Sequence, residues 1–244
     1  MRVACLFSGG KDSCLALHLA RKKHDVAYLV NMDVENADSW MFHKPYPELI
    51  EKQAEELGIE LVKVKSKGKQ DEEVNDLKQL LAGLDIDGVV IGGIASNYQG
   101  KRIKRVCDEL GLEMIAPLWN FSPEELWDCL LENNFKVILT KIACQGLGKE
   151  WLGKVIDKQK LDKMKELAEK YRFRLDFEGG EAETAVLDMP GFKHEIDIDF
   201  SIYQEGAYRA WLELEVNDIE GRIQQEKMKE LWDNKEDDEY DGLS

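Results

Sequence analysis

Runs of apolar and β-branched residues fall at 2–7, 26–32, 59–64, 87–92 and 113–116, and helix-type spacing occupies the intervals near 13–23, 46–58, 71–84 and 98–111. Strand-like runs that alternate with helical ones predict a parallel sheet with crossover helices, because parallel neighbours need a long return path. After Trp119 the texture changes. Ser122-Pro123-Glu124-Glu125 predicts a helix start, with Ser122 as N-cap, Pro123 in the first turn and Glu125 bonding back. That helix runs to about Asn133; a strand at 135–142, a glycine-rich loop at 146–153 and a helix at 158–171 follow. The pattern then turns to β at 184–189, 194–200 and 207–216, where even-numbered residues from Tyr208 to Val216 are mostly apolar. The expected architecture is α/β: a five-stranded parallel sheet over residues 1–120 and a second, smaller α+β domain over 121–233. The second part closes with a charged helix at 218–233, and the acidic tail 234–244 is expected to be disordered.

Composition narrows the setting. In 244 residues, 43% are hydrophobic, enough for a sizeable core. A net charge of −16 disfavours broad attraction to nucleic-acid backbones or anionic membranes, so neither is expected as a partner. No stretch approaches membrane-spanning length and Met-Arg-Val leads directly into a strand, so no span or signal peptide is read and a cytoplasmic location is expected. Cys5, Cys14, Cys107, Cys129 and Cys144 are odd in number and form no C-x-x-C pair, which argues for buried free thiols over a disulfide framework or zinc ribbon.

In a parallel sheet, ligands gather beyond the carboxyl ends of the strands. The loop at Ser8, the loop from Asp33 to Pro45 and the Gly92-Gly93 turn all follow predicted strands and should share one cleft. Val3 to Ser13 is an apolar strand running into Ser8-Gly9-Gly10-Lys11-Asp12-Ser13 and then a helix, the form of a phosphate cradle. Gly9 and Gly10 permit a sharp bend and close approach, so successive N–H groups and the helix's positive end face one anion. Lys11 adds a mobile charge, and Ser8 and Ser13 add hydroxyl donors. Asp12 beside phosphates needs another role, either capping the helix or holding magnesium. The four-residue gap of a Walker A loop is absent.

Two further constellations stand out. Glu181 and Glu183, in Gly180-Glu181-Ala182-Glu183-Thr184, project from one face if the segment is extended and then suit a cation, an amine awaiting deprotonation or magnesium; a solvated acidic turn is the plainer alternative. Beyond Gly92-Gly93, Ser96 or Asn97 can cap the next helix, and Tyr98, Arg102 and Arg105 share a face by helical spacing. Such a face suits a carboxylate or phosphate, or is simply solvated.

The hexamer Ser8–Ser13 resembles the signature of the N-type ATP pyrophosphatases. The resemblance implies a HUP-like (adenine nucleotide α hydrolase-like) sheet, a loop that grips the β- and γ-phosphates of ATP, and attack at the α-phosphate. ATP with Mg2+ would then lie on Ser8, Gly9, Gly10, Lys11, Asp12, Ser13, the main chain near Met32, Gly92 and Gly93, with Asp12 as the magnesium contact. Four blocks together resemble one family, the diphthine–ammonia ligases: Ser8 to Ser13; Met41-Phe42-His43; Ser96-Asn97-Tyr98-Gln99 through Arg102 with Pro117-Leu118-Trp119; and Gly180 to Thr184 with Asp188-Met189-Pro190. The loop Leu147 to Gly153 is similar to that family's second glycine-rich segment. Ala182 stands where the family usually carries a bulkier residue, and Gly93 where an acid is common.

The resemblance implies ATP-dependent amidation of diphthine, a modified histidine on translation elongation factor 2. The carboxylate is adenylated with loss of pyrophosphate, and ammonia displaces AMP to give diphthamide. Residues 1–120 would be the ATP-pyrophosphatase domain and 121–233 the substrate-binding one. Lys11, Glu181 and Glu183 take the catalytic roles, Lys11 stabilising pyrophosphate and the glutamates binding ammonium and removing its proton. His43, Ser96, Tyr98, Arg102, Trp119, Gly180 and Thr184 are the expected substrate contacts, Arg102 positioning the carboxylate. Trp40, Phe42, Tyr98 and Trp119 offer aromatic faces to the quaternary ammonium of diphthine. Expected partners are the modified elongation factor, ammonium and a second copy of the chain in a homodimer. Alternatives are a tRNA-modifying adenylating enzyme, which would want a cysteine pair and a basic face, and a non-catalytic ATP-binding protein. A glutamine-dependent amidotransferase would need a glutaminase domain.

Overall fold

The computed structural model describes residues 1–34, 46–66, 70–93 and 97–217, with the side chains of 33, 34, 65, 66, 70, 71 and 97–99 outside that description. The first part alternates as the pattern requires: β1 (Arg2–Leu6), α1 (Lys11–Arg21), β2 (Asp25–Val34), α2 (Pro47–Leu57), β3 (Glu60–Ser66), α3 (Gln70–Ala82), β4 (Gly88–Val90), α4 (Asn97–Leu110) and β5 (Glu113–Ile115). The five strands form one sheet in the order β3-β2-β1-β4-β5, every pairing parallel. Val3, Ala4 and Cys5 are wholly buried, as a strand covered by helices on both faces demands. The strand order reverses between β1 and β4, which opens a crevice at their carboxyl ends.

The second part contains α5 (Pro123–Glu132), β6 (Lys136–Ile142), a single 3-10 turn at Lys149–Trp151, α6 (Lys158–Tyr171), β7 (Ala182–Asp188), β8 (Ile198–Glu205) and β9 (Arg209–Val216). Its four strands form an antiparallel sheet in the order β7-β6-β9-β8. The expected strand at 194–200 is displaced: Ile196 is buried and its N–H donates to Leu187 O at 2.8 Å, and pairing with β9 starts only at Ile198. The hairpin partner sets that register. The expected helix at 218–233 and tail at 234–244 lie outside the described residues.

One apolar cluster joins the two sheets. Val3, Cys5, Leu15 and Leu17 from the first part belong to the same core as Trp127, Ile138, Leu161 and Val186 from the second. Helix α1 packs on β1, β2 and β4 and also on β7, and α2 packs on β3 and β9, so both lie between the sheets. The opposite face of the parallel sheet has its own core, including Ala4, Val30, Met32, Val74, Leu81, Val89, Ile103 and Val106, under α3 and α4. Among the cysteines, Cys5, Cys14 and Cys107 are buried and all five are free, whereas Cys129 and Cys144 are half-buried because each lies at the edge of the core. Burial pushes the Cys5 thiol up to about 12. Among the described residues no helix is long and apolar enough to cross a membrane.

The predicted start of α5 is a complete capping box. Ser122 Oγ accepts from Glu125 N–H at 3.2 Å, and the Glu125 carboxylate accepts from Ser122 N–H at 2.7 Å. The helix anchors the second part through Trp127, whose indole N–H donates to Leu175 O at 2.8 Å. Removing the cap side chain leaves first-turn donors without their partner, so Ser122→Ala is expected to lower stability by about 1 kcal/mol in urea unfolding; an unchanged midpoint would contradict it.

Candidate active site

The loop after β1 bends at Gly9, whose φ of 75° lies in the left-handed region that glycine tolerates without strain. Gly10 is the N-cap of α1, with φ −82° and ψ 170° and no side-chain cap. Asp12 therefore does not cap the helix, which removes one of its two expected roles. Its half-exposed carboxylate instead accepts from Lys11 Nζ at 2.8 Å. Ser13 Oγ holds the loop's shape: it donates to Gly10 O at 3.1 Å, accepts from Ser8 N–H at 3.3 Å and lies 3.2 Å from Ser8 Oγ.

The loop runs along the open edge of β7. Val186 N–H donates to Gly9 O at 3.1 Å, and Lys11 N–H donates to Thr184 Oγ1 at 3.1 Å. Gly10 fits closely, since a Cβ there would stand 3.2 Å from Thr184 O. Gln53 of α2 clamps the arrangement. Its side chain is 0% exposed, and Nε2 donates to Gly9 O at 3.0 Å and to Val186 O at 2.7 Å. Sequence reasoning passed over this residue. The available signal was a polar side chain within the apolar stripe of Leu49, Ile50, Ala54 and Leu57, all buried on the same helix.

Gly92 closes the loop's other side. A Cβ on Gly92 would stand 2.6 Å from Ser13 N and 2.7 Å from Asp12 C, so the end of β4 packs directly on the first turn of α1. Gly93 is exposed, with nothing among the described residues within 4 Å of a Cβ. The Ser8 loop and the Gly92-Gly93 turn thus share one cleft, while residues 35–45 lie outside the described residues. Strand β2 runs past β1: their last pair is Leu6 with Val30, and Phe7 N–H donates to Val30 O at 2.8 Å. By strand alternation the main-chain groups of Met32 point the same way, above the end of β1, while its side chain is buried in the far core.

Lys11 is 2% exposed. Besides Asp12, its Nζ donates to Asp176 O at 2.6 Å and lies 5.4 Å from the centre of the Phe177 ring. Burial raises the Asp176 carboxyl, but hydrogen bonds from the Arg174 guanidinium and Glu178 N–H outweigh it and hold the group below the usual range. The segment 174–178 is thereby a fixed cover over the lysine.

Glu181 and Glu183 take separate partners. Strand β7 begins at Ala182, so Glu181 stays in the turn behind Gly180, whose φ is 82°. One Glu181 oxygen accepts from Arg174 N–H at 3.2 Å, and Oε2 is buried with no hydrogen-bond partner among the described residues. Glu183 accepts from Lys141 Nζ at 2.7 Å. Burial, then the Glu183 charge, pushes the nearby Tyr46 hydroxyl up to about 12, and it donates to Leu212 O at 2.7 Å.

On α4, Gly100 backs onto the Trp119 ring, which is 49% exposed. Arg102 is half-buried, whereas Arg105 reaches back to Glu109 at 3.4 Å. His43 and Ser96, like Trp40 and Phe42, lie outside the described residues, as does the side chain of Tyr98. Among the described residues no group of three or more His, Cys, Asp or Glu side chains is arranged for a metal ion.

A parallel sheet in this order, with a glycine turn opening the helix after β1 at its switch point, defines a doubly wound α/β protein whose cleft lies beyond the carboxyl ends of β1 and β4. The family model of the diphthamide synthase N-terminal domain matches residues 1–114, and that of the diphthamide synthase C-terminal domain matches residues 122–231. A diphthine–ammonia ligase of Bos taurus is 33% identical over 89% of this chain and 93% of its own. One of Danio rerio is 34% identical over 82% and 87%. The chain belongs to the diphthine–ammonia ligase family. A solved structure titled as a predicted subunit of tRNA methyltransferase from Methanocaldococcus jannaschii is 20% identical, with a TM-score of 0.43 over 80% of this chain and 100% of that one.

Proposed function

We propose that this protein uses ATP to amidate the diphthine carboxylate of translation elongation factor 2, through an acyl-adenylate, with ammonium as the nitrogen source and AMP and pyrophosphate as the other products. The observation that carries this reading is the glycine loop fixed on β7 through Gly9, Lys11, Thr184 and Val186, which brings the residues read here as a phosphate cradle onto the strand that carries Glu183. The loop amides and Lys11 hold the outer phosphates, so charge developing on departing pyrophosphate meets donors already in place. The main chain of Met32 above β1 offers hydrogen bonds to an adenine edge. Residues 1–120 serve as the nucleotide domain and 121–233 as the substrate domain.

Magnesium fits as a companion of ATP. The residues supply one hard carboxylate at the loop, Asp12, and this ion commonly takes one or two protein carboxylates with the remaining positions filled by phosphate and water. Bound there it would neutralise phosphate charge. Arg102, half-buried on α4, positions the substrate carboxylate together with Tyr98 and Trp119.

Ammonium must bind and lose a proton before it attacks. Glu183 already accepts from a primary ammonium, that of Lys141 at 2.7 Å, so its surroundings tolerate such a cation. Glu181, with a buried oxygen lacking a partner among the described residues, is the second acceptor. The test supplies diphthine-bearing elongation factor, ATP and ammonium, and follows diphthamide and the nucleotide product. AMP that appears only with all three supports the reading, and ADP overturns it. Glu183→Gln is expected to leave ATP binding intact and slow amide formation about 10²-fold or more; amidation at the wild-type rate removes Glu183 from the role.

A further inference from the structure

The second sheet carries a row of side chains across all four strands. Glu183 on β7 pairs with Lys141 on β6, Lys141 with Trp211 on β9, and Trp211 with Tyr203 on β8. Directly paired residues share a face. The first pair is an ion pair at 2.7 Å, and the last is a ring stack, with centroids 6.1 Å apart and planes at 15°. By alternation the same face bears Asp199, Ser201 and Glu205 from β8 and Arg209, Glu213 and Glu215 from β9, while Ala210 and Leu212 turn to the core.

This face is not built for folding. Tyr203 is 45% exposed and Trp211 37%, yet they are stacked and oriented. The face also bears carboxylates of Asp199, Glu205, Glu213 and Glu215, against the guanidinium of Arg209, paired with Glu205 at 3.2 Å, and the ammonium of Lys141, paired with Glu183. Aromatic faces within an acidic surround attract organic cations through the ring quadrupole and the carboxylate field together. Tyrosine and tryptophan are also the residues that most often anchor protein interfaces. Adjacent strands lie about 4.8 Å apart, so the row spans roughly 14 Å from Tyr203 to the edge strand that holds the glycine loop.

We propose that this face is the docking surface for a cationic segment of the protein substrate, with Trp211 and Tyr203 as its anchors. The inference rests on the amidation reading above. A basic segment lying along the row sets its far end at β7, beside Glu183 and the loop, and the aromatic pair holds it by contacts that ATP does not share.

Trp211→Ala, Tyr203→Ala and the control Gln159→Ala, exposed on α6, each in the full chain, are compared for direct binding of the diphthine-bearing elongation factor and for KM of both substrates. Both aromatic variants are expected to weaken protein binding at least about tenfold, with KM for ATP within twofold of wild type and the control unchanged. Added salt should weaken binding to the wild type. Equal binding by wild type and both aromatic variants overturns the proposal. So does a wild-type dimer that dissociates in Trp211→Ala, because a second copy then occupies the face. If the wild type makes no diphthamide, the amidation reading fails, and the binding comparison still decides the docking surface.

Discussion

Lys11→Met is expected to slow AMP and pyrophosphate formation by about 10²–10³-fold, the effect typical of removing one preorganised donor from a developing charge. A lysine ammonium has three N–H donors. Two are engaged by the Asp12 carboxylate at 2.8 Å and Asp176 O at 2.6 Å, which aims the head group and leaves the third for a phosphate oxygen. Methionine keeps the apolar stem that fills a site 2% exposed, so the change isolates the charge. Stability should fall too, by about 1–3 kcal/mol, because Asp176 O and Asp12 lose a donor in a covered position. Arginine should not restore activity: its planar fork is larger than the ammonium, and the Phe177 ring closes the site 5.4 Å from Nζ. Pyrophosphate release measured beside a thermal melt separates the two effects. A folded Lys11→Met protein with activity within threefold of wild type would exclude Lys11 from the chemistry.

The parallel sheet was legible because its strands are buried on both faces and so appear as unbroken apolar runs; Val3, Ala4 and Cys5 show the rule. The edge hairpin was less so. Strand β8 has almost all its residues exposed, so no apolar alternation marks it, and its bounds come from pairing with β9. Local pattern identified the glycine turn and the Gly92 turn at the site and the capping box at the start of α5, all of which depend on neighbours a few residues away. What it missed depends on distant partners: Gln53 on Gly9 and Val186, Thr184 on Lys11, and Asp176 over the lysine head group. The spacing of Glu181 and Glu183 promised one paired site if the segment were extended. The chain enters β7 only at Ala182, so the two carboxylates turn to Arg174 and Lys141.

Gly92→Ala should be far more damaging than Gly93→Ala, although the two glycines are adjacent and both follow β4. At Gly92 the added methyl meets backbone on every close approach: Ser13 N at 2.6 Å, with Asp12 C and Ser13 Cα at 2.7 Å. Backbone cannot rotate away as a side-chain tip can, so either the end of β4 or the first turn of α1 must shift. Overpacking of this kind costs about 1–3 kcal/mol. The larger consequence falls on the cradle, since that turn also carries the N–H of Lys11 to Thr184 and the hydroxyl of Ser13 to Gly10 O. Misplacing a reacting group by about 1 Å can cost roughly 10² in rate, so AMP formation should drop by that order while KM for ATP rises. At Gly93 no atom of the described residues lies within 4 Å of the added carbon, so stability should stay close to wild type and turnover should fall far less than in Gly92→Ala. Parallel melts and ATP titrations of the two variants decide the matter. If they lose activity equally, the tight seat of β4 on the glycine loop is not what shapes the cradle.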